Sequence, residues 1–223
     1  SALIKTDDLS LKYSESHDYA VNGISLAIYE NEFLAIVGPS GCGKSSLLTL
    51  LGTLTSPTAG EIQYESLKYS DIADSADFRK KHFGFIFQSF HLIPTLTSLE
   101  NVLIPTLASE SAAEMQTERA KNLLKELGLE HRLDHLPNEM SGGERQRVSI
   151  ARALINQPSI ILADEPTGSL DSVHSKQVIE ILKTIQKKHQ VTVVVATHDP
   201  MVSGCADRII HMLDGRIQHI ETL

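Results

Sequence analysis

Residues 33–45 read Phe33-Leu34-Ala35-Ile36-Val37-Gly38-Pro39-Ser40-Gly41-Cys42-Gly43-Lys44-Ser45. The first five residues form an apolar run that ends at a glycine, which predicts a short buried strand. Residues 38–45 match G-x-x-x-x-G-K-[ST], a phosphate-binding motif when it follows a strand. The glycines let backbone N–H groups wrap phosphates, and we expect Lys44 to contact the β- and γ-phosphates and Ser45 to ligate Mg²⁺. A chance match in a glycine-rich turn is the alternative, which the helical Ser46-Leu47-Leu48 disfavours.

A second apolar run, residues 160–163, carries the carboxylates Asp164 and Glu165 at its end. Open α/β sheets bind ligands at the carboxyl ends of their strands. Because Mg²⁺ prefers oxygen ligands, we expect Asp164 to hold it directly or through water. Glu165 points elsewhere and can polarise the attacking water. The alternative is a pair of solvated acids that open the turn at Pro166.

Between these motifs lies Ser141-Gly142-Gly143-Glu144-Arg145. Ser141 and Glu144 form an S-x-x-E capping box, which predicts the start of a helix. The two glycines leave backbone N–H groups uncovered at the positive end of this helix, and such an end attracts phosphate. An ordinary capped helix is the alternative for these five residues alone, but their position between a phosphate loop and an acidic pair favours an anion site.

Two further polar residues follow predicted strands. His198 comes after the apolar residues 191–196, and we expect it to contact the γ-phosphate from the same sheet edge. A structural or incidental histidine is the alternative. Gln88 comes after Phe85-Ile86-Phe87 and has the weakest pattern of the set, with a buried amide that satisfies loop backbone as its alternative.

Helical patterns alternate with the predicted strands. Two segments carry apolar residues at i, i+3, i+4 and i+7, namely Ala120, Leu123, Leu124 and Leu127, and Val178, Ile181, Leu182 and Ile185. Gly128 follows the first segment as a stop. This alternation predicts an α/β fold with a largely parallel sheet and helices on both faces.

The first thirty residues have a different pattern. Apolar residues alternate with polar ones at Leu9, Leu11 and Tyr13 and again at Ile24, Leu26 and Ile28. This period of two predicts an antiparallel sheet in front of the nucleotide core. Residues 105–118 are polar and alanine-rich, and we interpret them as a surface loop that leads into a helix.

The composition favours one large α/β domain. The chain has 223 residues, is 41% hydrophobic and carries a net charge of −8,. It has no run of about 18 apolar residues and no signal pattern at its start, so we expect it to stay in the cytosol. Cys42 and Cys205 lack metal or disulfide spacing, which fits a reducing compartment. The acidic balance disfavours a general nucleic-acid binder, and no nucleic-acid partner is expected.

With these residues assembled, the chain resembles ATP-binding cassette (ABC) ATPases over essentially its whole length. The family's other hallmarks have counterparts here: the Q-loop glutamine Gln88, the Walker B acids Asp164 and Glu165, the D-loop at residues 168–171 and the switch histidine His198. The signature is Met140-Ser141-Gly142-Gly143-Glu144, where the family more often has Leu-Ser-Gly-Gly-Gln. Both departures leave the Ser-Gly-Gly core intact.

The resemblance implies ATP and Mg²⁺ as cofactors and gives roles to matching residues. The implied catalytic residues are Glu165, His198, Gln88 and Lys44. The implied nucleotide contacts are Tyr13, Gly38, Pro39, Ser40, Gly41, Cys42, Gly43, Lys44, Ser45, Ser46, Ser141, Gly142, Gly143 and Asp171. The implied metal ligands are Ser45, Gln88 and Asp164. Tyr13 stands where the family places an aromatic that stacks on adenine, and Tyr19 is a weaker candidate for that contact.

The resemblance also implies the architecture. We expect a P-loop NTPase (RecA-like) core with a mostly parallel sheet, an N-terminal antiparallel β subdomain and an inserted α-helical subdomain. A single ABC ATPase domain would occupy residues 1–223. Its nucleotide-binding core would comprise about residues 1–87 and 151–223, and its helical signature subdomain about residues 88–150.

The implied assembly is a head-to-tail homodimer around two ATP molecules. In it, Ser141, Gly142 and Gly143 of one subunit close over the phosphates of the other. Residues 84–94, 98–102 and 163–168 resemble a bacterial group of lipoprotein-release, macrolide-efflux, antimicrobial-peptide-resistance and cell-division ATPases. Members of that group work with a separate membrane permease, often for mechanical work across the envelope. The implied location is therefore the cytoplasmic side of the inner membrane.

Two alternatives to a permease-coupled ATPase fit the sequence less well. A soluble ABC ATPase of translation or DNA repair usually carries two cassettes or long coiled coils, which 223 residues with one phosphate loop do not accommodate. A small-molecule P-loop kinase leaves the Ser-Gly-Gly helix and His198 unexplained.

Two local hypotheses complete the sequence-based picture. The apolar Leu92, Ile93, Pro94 and Leu96 can dock a permease, or pack the helical subdomain, or both. Cys42 lies in the phosphate loop near a helix N-terminus, a setting that can activate a thiol. Alkylation there would then inhibit, with protection by ATP, whereas a loop position without a redox role is the alternative.

Overall fold

The computed structural model describes residues 1–107 and 111–223, which form ten strands and seven α-helices. The strands are β1 (Ala2–Leu11), β2 (Val21–Tyr29), β3 (Phe33–Val37), β4 (Ala59–Tyr64), β5 (Leu67–Lys68), β6 (Phe83–Phe87), β7 (Ile160–Asp164), β8 (Thr192–Thr197), β9 (Arg208–Leu213) and β10 (Arg216–Thr222). The helices are α1 (Lys44–Leu51), α2 (Ser75–His82), α3 (Ser98–Leu103), α4 (Ala113–Glu126), α5 (Gly142–Leu154), α6 (Ser172–Lys188) and α7 (Pro200–Ser203).

A six-stranded sheet in the order β10-β9-β3-β8-β7-β6 forms the centre of the molecule. Every neighbouring pair except the β9–β10 hairpin is parallel. The ends of β3, β8 and β7 are in register, since Val37 pairs with Thr197 and Ala196 pairs with Asp164. The largely parallel sheet predicted from the sequence is confirmed, and it places the phosphate loop, Glu165 and His198 at one edge.

Alternate residues of the central strands enter two separate apolar layers. Phe33 and Ala35 pack with α5 and α6, whereas Leu34 and Ile36 pack with α1 and the N-terminal sheet. A strand buried on both faces needs apolar residues at every position, which explains the continuous run in β3. The expectation that both faces of the sheet are covered is therefore confirmed.

A four-stranded antiparallel sheet, in the order β2-β1-β4-β5, packs on the α1 face. Its first two strands pair as the alternating pattern predicts, with Leu9 opposite Ile24 and Thr6 opposite Leu26. The alternation misplaces one residue, because β1 ends at Leu11 and Tyr13 lies beyond it. Tyr13 is solvent-exposed and begins a polar turn, in which the Ser16 N–H donates to the Tyr13 carbonyl oxygen at 3.0 Å, rather than continuing the strand.

Helices α3, α4 and α5 pack against one another beside β6. Helix α4 buries Ala120, Leu123 and Leu124 as the apolar spacing predicts, and Gly128 adopts a left-handed φ of 73° just beyond the helix end. The predicted loop at residues 105–118 is wrong in part, because α4 already begins at Ala113. Residues 108–110 of that segment lie outside the described residues.

Smaller differences concern element boundaries. β8 begins at Thr192, one residue later than the apolar run that starts at Val191, although Val191 is itself buried. α2 and α3 were not predicted from apolar spacing, because both are short and α2 buries only Phe78. Among the helices of residues 1–107 and 111–223, none has the length and apolar character needed to cross a lipid bilayer.

Candidate active site

The phosphate loop connects β3 to α1 and is held by the C-terminal hairpin. Gly43 caps α1 with a left-handed φ of 102°, and a Cβ atom there would lie 2.1 Å from the carbonyl oxygen of Ala20. Only glycine fits this position. The Lys44 ammonium is buried inside the loop and donates to the carbonyl oxygens of Gly38 (2.7 Å) and Pro39 (3.1 Å). The loop therefore has the curvature and the central cation that phosphate binding requires.

Ser45 and Asp164 meet at the end of the sheet. The Ser45 hydroxyl donates to the Asp164 carboxylate, although 119 residues separate the two in sequence. Partial burial raises the pKa of Asp164, the Glu165 carboxylate raises it further, and the Ser45 hydrogen bond and the Lys44 charge oppose the rise. A hydroxyl oxygen beside a half-buried carboxylate offers the oxygen ligands that Mg²⁺ prefers, so Ser45 and Asp164 fit the metal expected from the sequence.

Glu165 and His198 form a direct pair. The Glu165 Oε1 atom lies 2.8 Å from His198 Nδ1, and the Glu165 side chain is 18% exposed while that of His198 is 72% exposed. Glu165 has a left-handed φ of 46°, and its backbone N–H donates to the Ala196 carbonyl oxygen at 2.8 Å. This turn directs the Glu165 carboxylate away from Asp164 and toward the end of β8, as expected from consecutive residues with separate roles.

Gln88 follows β6 and is solvent-exposed, so the alternative of a buried amide is wrong. Its side chain lies against Gly168 of the D-loop, where an added Cβ atom would approach the Gln88 amide to 2.8 Å. Gly168 also donates its N–H to the Glu165 carbonyl oxygen at 3.0 Å. Gln88 is thus brought to the turn that follows the acidic pair.

The predicted capping box at the start of α5 is confirmed. The Glu144 N–H donates to Ser141 Oγ at 3.1 Å, and the Ser141 N–H donates to Glu144 Oε2 at 3.0 Å. The two glycines that follow pack on the same subunit: Cβ atoms at Gly142 and Gly143 would lie 3.2 Å from Leu170 and 2.8 Å from His174. The helix start therefore rests on the D-loop and on the first turn of α6.

Asp171, a predicted nucleotide contact, caps α6. It accepts the His174 N–H at 2.9 Å, and its second carboxylate oxygen lies 2.7 Å from His174 Nδ1. The backbone hydrogen bond from His174, and then the bond from its side chain, lower the pKa of Asp171. These contacts define a local capping role, and a contact with nucleotide stays a prediction.

Both candidate adenine-stacking tyrosines lie near the phosphate loop. The Tyr13 hydroxyl lies 3.1 Å from Ser46 Oγ on α1, and about half of the Tyr13 side chain is exposed. Tyr19 lines a separate groove together with Gly41, and the Lys12 ammonium stands 5.6 Å from its ring centre. The direct link to α1 favours Tyr13.

Cys42 is buried beneath the phosphate loop, with only 3% of the residue exposed. Its sulfur lies 3.8 Å from Lys44 Nζ. A thiol in this position is shielded from bulky alkylating reagents, which favours the alternative without a redox role. Cys205 is free and half-buried elsewhere.

Sequence patterns missed Gln146, which joins three motifs. This fully buried residue of α5 donates through Nε2 to the carbonyl oxygens of Phe87 and Pro166. It therefore ties the signature helix to the residues that precede Gln88 and follow Glu165. A polar side chain on the buried face of a helix was the signal that could have identified it, because such groups need hydrogen-bond partners.

Thr167 and Asp199 form a second contact that the motifs did not predict. The buried Thr167 hydroxyl donates to Asp199 at 3.2 Å, and Asp199 caps α7 through the Met201 N–H. This contact fixes the loop after Glu165 to the loop after His198. The Thr167–Asp199 hydrogen bond therefore supports the Glu165–His198 contact from the adjacent residues of both loops.

A family model described as "ABC transporter" matches residues 21–168. The chain belongs to the ABC transporter family. As an ABC cassette it is an ATP-hydrolysing enzyme that binds ATP.

Curated ABC relatives match most of this chain. An uncharacterised ABC transporter ATP-binding protein (MJ1508) of Methanocaldococcus jannaschii is 48% identical over 92% of this chain and 92% of its own length. The lipoprotein-releasing system ATP-binding protein LolD of Bacteroides fragilis is 45% identical over 88% and 92%. The macrolide export protein MacB of Pasteurella multocida is 47% identical over 96% of this chain, which spans only 34% of that ATP-binding/permease protein.

Solved ABC structures share the fold. A structure described as the dimeric form of MJ0796, a bacterial ABC transporter cassette, has a TM-score of 0.89 and is 42% identical over 99% of this chain and 98% of its own. A second structure of that cassette is described as a dimeric post-hydrolysis state bound to ADP and Pi. These matches confirm the expected cassette fold of a P-loop NTPase core with an N-terminal antiparallel sheet.

Proposed function

We propose that this chain is the ATPase subunit of an ABC complex in which a separate membrane permease carries out export, lipoprotein release or mechanical work across the envelope. Two copies would form a head-to-tail dimer around two ATP molecules, on the cytoplasmic side of the inner membrane. The resemblance to LolD and MacB supports the type of complex. A soluble ABC ATPase without a permease is the alternative.

One observation carries the dimer proposal: the two phosphate-binding elements of the chain pack on different parts of the fold. The phosphate loop rests against Ala20 and the C-terminal hairpin, whereas the Ser141 helix start rests against Leu170 and His174. At this helix start Ser141 is exposed and Gly142 is half-buried, and the N-terminus of a helix suits an anion. The phosphate of a second copy fits this role, and the dimeric MJ0796 cassette supports it.

Within each composite site, we assign the chemistry to residues already described. Lys44 binds the β- and γ-phosphates, and Ser45 and Asp164, with Gln88, would hold Mg²⁺, which neutralises phosphate charge when bound. Glu165 accepts a proton from the attacking water, and His198 orients the Glu165 carboxylate through their 2.8 Å contact,. In the ATP-bound dimer, His198 would face the γ-phosphate. Tyr13 would stack on the adenine.

A groove of about 500 Å³ beside Gln88 is our candidate permease-docking surface. Its walls combine apolar and basic side chains, including Phe87, Ile104 and Arg152. Ile93, from the apolar stretch singled out in the sequence, is exposed, while Leu92 packs into the core. The groove therefore suits an apolar permease segment that carries acidic residues.

Co-purification from detergent-solubilised membranes tests the permease. We expect the wild-type chain to recover an integral membrane protein, and Ile104→Glu to lose it because a charge enters the groove. Ile220→Glu places the same charge on an exposed residue of β10 outside the groove and should retain the partner. Recovery of ribosomes or DNA without a membrane protein would favour the soluble alternative.

Glu165→Gln tests the dimer and the assigned base together. The variant should bind ATP normally but hydrolyse it at least about 100-fold more slowly, as removal of a general base predicts. Trapped ATP should hold two subunits together in size-exclusion chromatography with ATP and Mg²⁺. A monomeric variant with normal turnover would contradict both assignments.

A further inference from the structure

Two histidines and a glutamate converge on the C-terminal hairpin. His211 on β9 and His219 and Glu221 on β10 offer one ligand atom each, and these three atoms lie within 4.8 Å of one another. Imidazole nitrogen and carboxylate oxygen together are typical ligands of Zn²⁺ and related divalent transition metals. We propose that these three residues form a binding site for a divalent metal ion of the zinc, nickel and copper class.

A β-bulge brings the two histidines together. Ile217 pairs with Met212, and that register would continue with Gln218 opposite His211. The register shifts by one residue after Ile217, so that His219 stands opposite His211 instead. Directly opposed residues of an antiparallel pair share a face, and bulges re-aim side chains in this way. The bulge thus converts a histidine–glutamine pair into a histidine–histidine pair.

Glu221 completes the set from the same face. It lies two residues beyond His219 on β10, which returns its side chain to the same side of the sheet. Its Oε2 atom lies 3.2 Å from His211 Nε2, close to the roughly 3.3 Å edge of a tetrahedron with ligand bonds of about 2.0 Å. Two of the three ligand atoms therefore already stand at the separation that a bound ion requires.

The third ligand needs only a side-chain movement. The rings of His211 and His219 stack with centroids 3.9 Å apart and planes 14° apart. His219 is exposed, so its ring can rotate to bring a nitrogen to the ion without disturbing the core. Three protein ligands leave a fourth tetrahedral position for water. The bound ion would fasten the edge strand β10 to β9.

Calorimetric titration of the whole chain with Zn²⁺ tests the site. The titration is done without nucleotide, in excess Mg²⁺ and at about pH 8, where free imidazole is neutral. We expect one equivalent of Zn²⁺ to bind wild type and the control His131→Ala, which changes an exposed histidine outside the cluster. His211→Ala and His219→Ala should each weaken this binding at least about tenfold, because each removes a direct ligand.

Thermal unfolding provides an independent measurement. Zn²⁺ should raise the Tm of wild type and His131→Ala, but not that of the two cluster variants. If an alanine variant fails to fold, Glu221→Gln provides the same comparison, since it keeps size and shape. Equal Zn²⁺ affinity in all variants would overturn the proposal. Loss of Zn²⁺ in His198→Ala with retention in the cluster variants would overturn it too, because the ion would then belong to the Glu165–His198 pair.

Discussion

At the scale of single residues, the ionised Asp164 carboxylate lowers the stability of the fold but can bind a cation. Its pKa is raised by burial and by the neighbouring Glu165 carboxylate. Because the folded-state pKa lies above that of the unfolded chain, ionisation of Asp164 destabilises the fold. The penalty is absent below the ordinary carboxyl pKa of about 4 and grows as the pH rises through the folded-state value. A bound cation would remove this penalty.

Asp164→Asn should therefore raise the Tm of the nucleotide-free protein at pH 8, since the amide still accepts the Ser45 hydrogen bond without carrying charge. The gain should shrink as the pH is lowered toward the ordinary carboxyl pKa of about 4. Scanning calorimetry without nucleotide measures it, and Asp134→Asn, at an exposed carboxylate, is the control with little expected change,. A lower Tm for Asp164→Asn at every pH would contradict this view of the site. The same variant should weaken Mg²⁺-dependent ATP binding.

Site residues that end a strand could be predicted from the sequence, and those defined by distant contacts could not. Asp164, Glu165 and His198 follow apolar runs, and parallel strands deliver such ends to one edge. Gln146 has hydrogen-bond partners 59 and 20 residues away. No local pattern encodes those partners. The Tyr13 position likewise depends on where the chain turns after β1.

At the scale of elements, two helices begin with the same capping box. Thr97 and Glu100 start α3, and Ser141 and Glu144 start α5, with hydroxyl–amide distances of 3.2 and 3.1 Å. The local geometry is equivalent, but only α5 carries the Gly-Gly pair and rests on the D-loop. Comparing variants of the two caps therefore distinguishes an effect on helix stability from an effect on catalysis.

Ser141→Ala and Thr97→Ala should each destabilise the fold by about 1 kcal/mol, or about 2–4 °C in Tm for a domain of this size. Only Ser141→Ala should also slow ATP hydrolysis, by at least about tenfold, because it removes a donor to the partner's phosphate. Urea unfolding and steady-state ATPase rates on both variants make the comparison. Equal ATPase rates would mean that Ser141 is only a cap.

The success of element prediction followed the strength of each amphipathic pattern. α4 and α6 bury regular stripes, and both were predicted from the spacing of their apolar residues. α2 has eight residues and a single buried one, Phe78, so its main signals are the Asp74 cap and its basic last turn. The close packing of β6 on α5 at Gly84, where a Cβ atom would lie 2.3 Å from the Ala153 carbonyl oxygen, is likewise a tertiary property.

At the scale of the whole molecule, the architecture separates the two elements that we propose to form one ATP site. The central sheet gathers Lys44, Asp164, Glu165 and His198 at one edge, and the α3–α5 helices display Ser141 elsewhere. Gln146 links these regions inside one subunit. A dimer that closes on the Ser141 side would therefore shift the residues next to Asp164 and Glu165 through Gln146. In the proposed dimer, association and hydrolysis would then be steps of one cycle.

Mixing two inactive variants tests this central proposal most directly. Lys44→Ala removes the phosphate-binding cation, and Ser141→Arg blocks the helix start that serves the partner's ATP. Each variant alone should lack activity, and Ser141→Arg should still bind ATP as a monomer. Random pairing of equal amounts makes half of the dimers mixed, each with one intact composite site, so about a quarter of the wild-type ATPase rate should return. If the mixture stays as inactive as its components while both variants remain folded, the head-to-tail arrangement is contradicted.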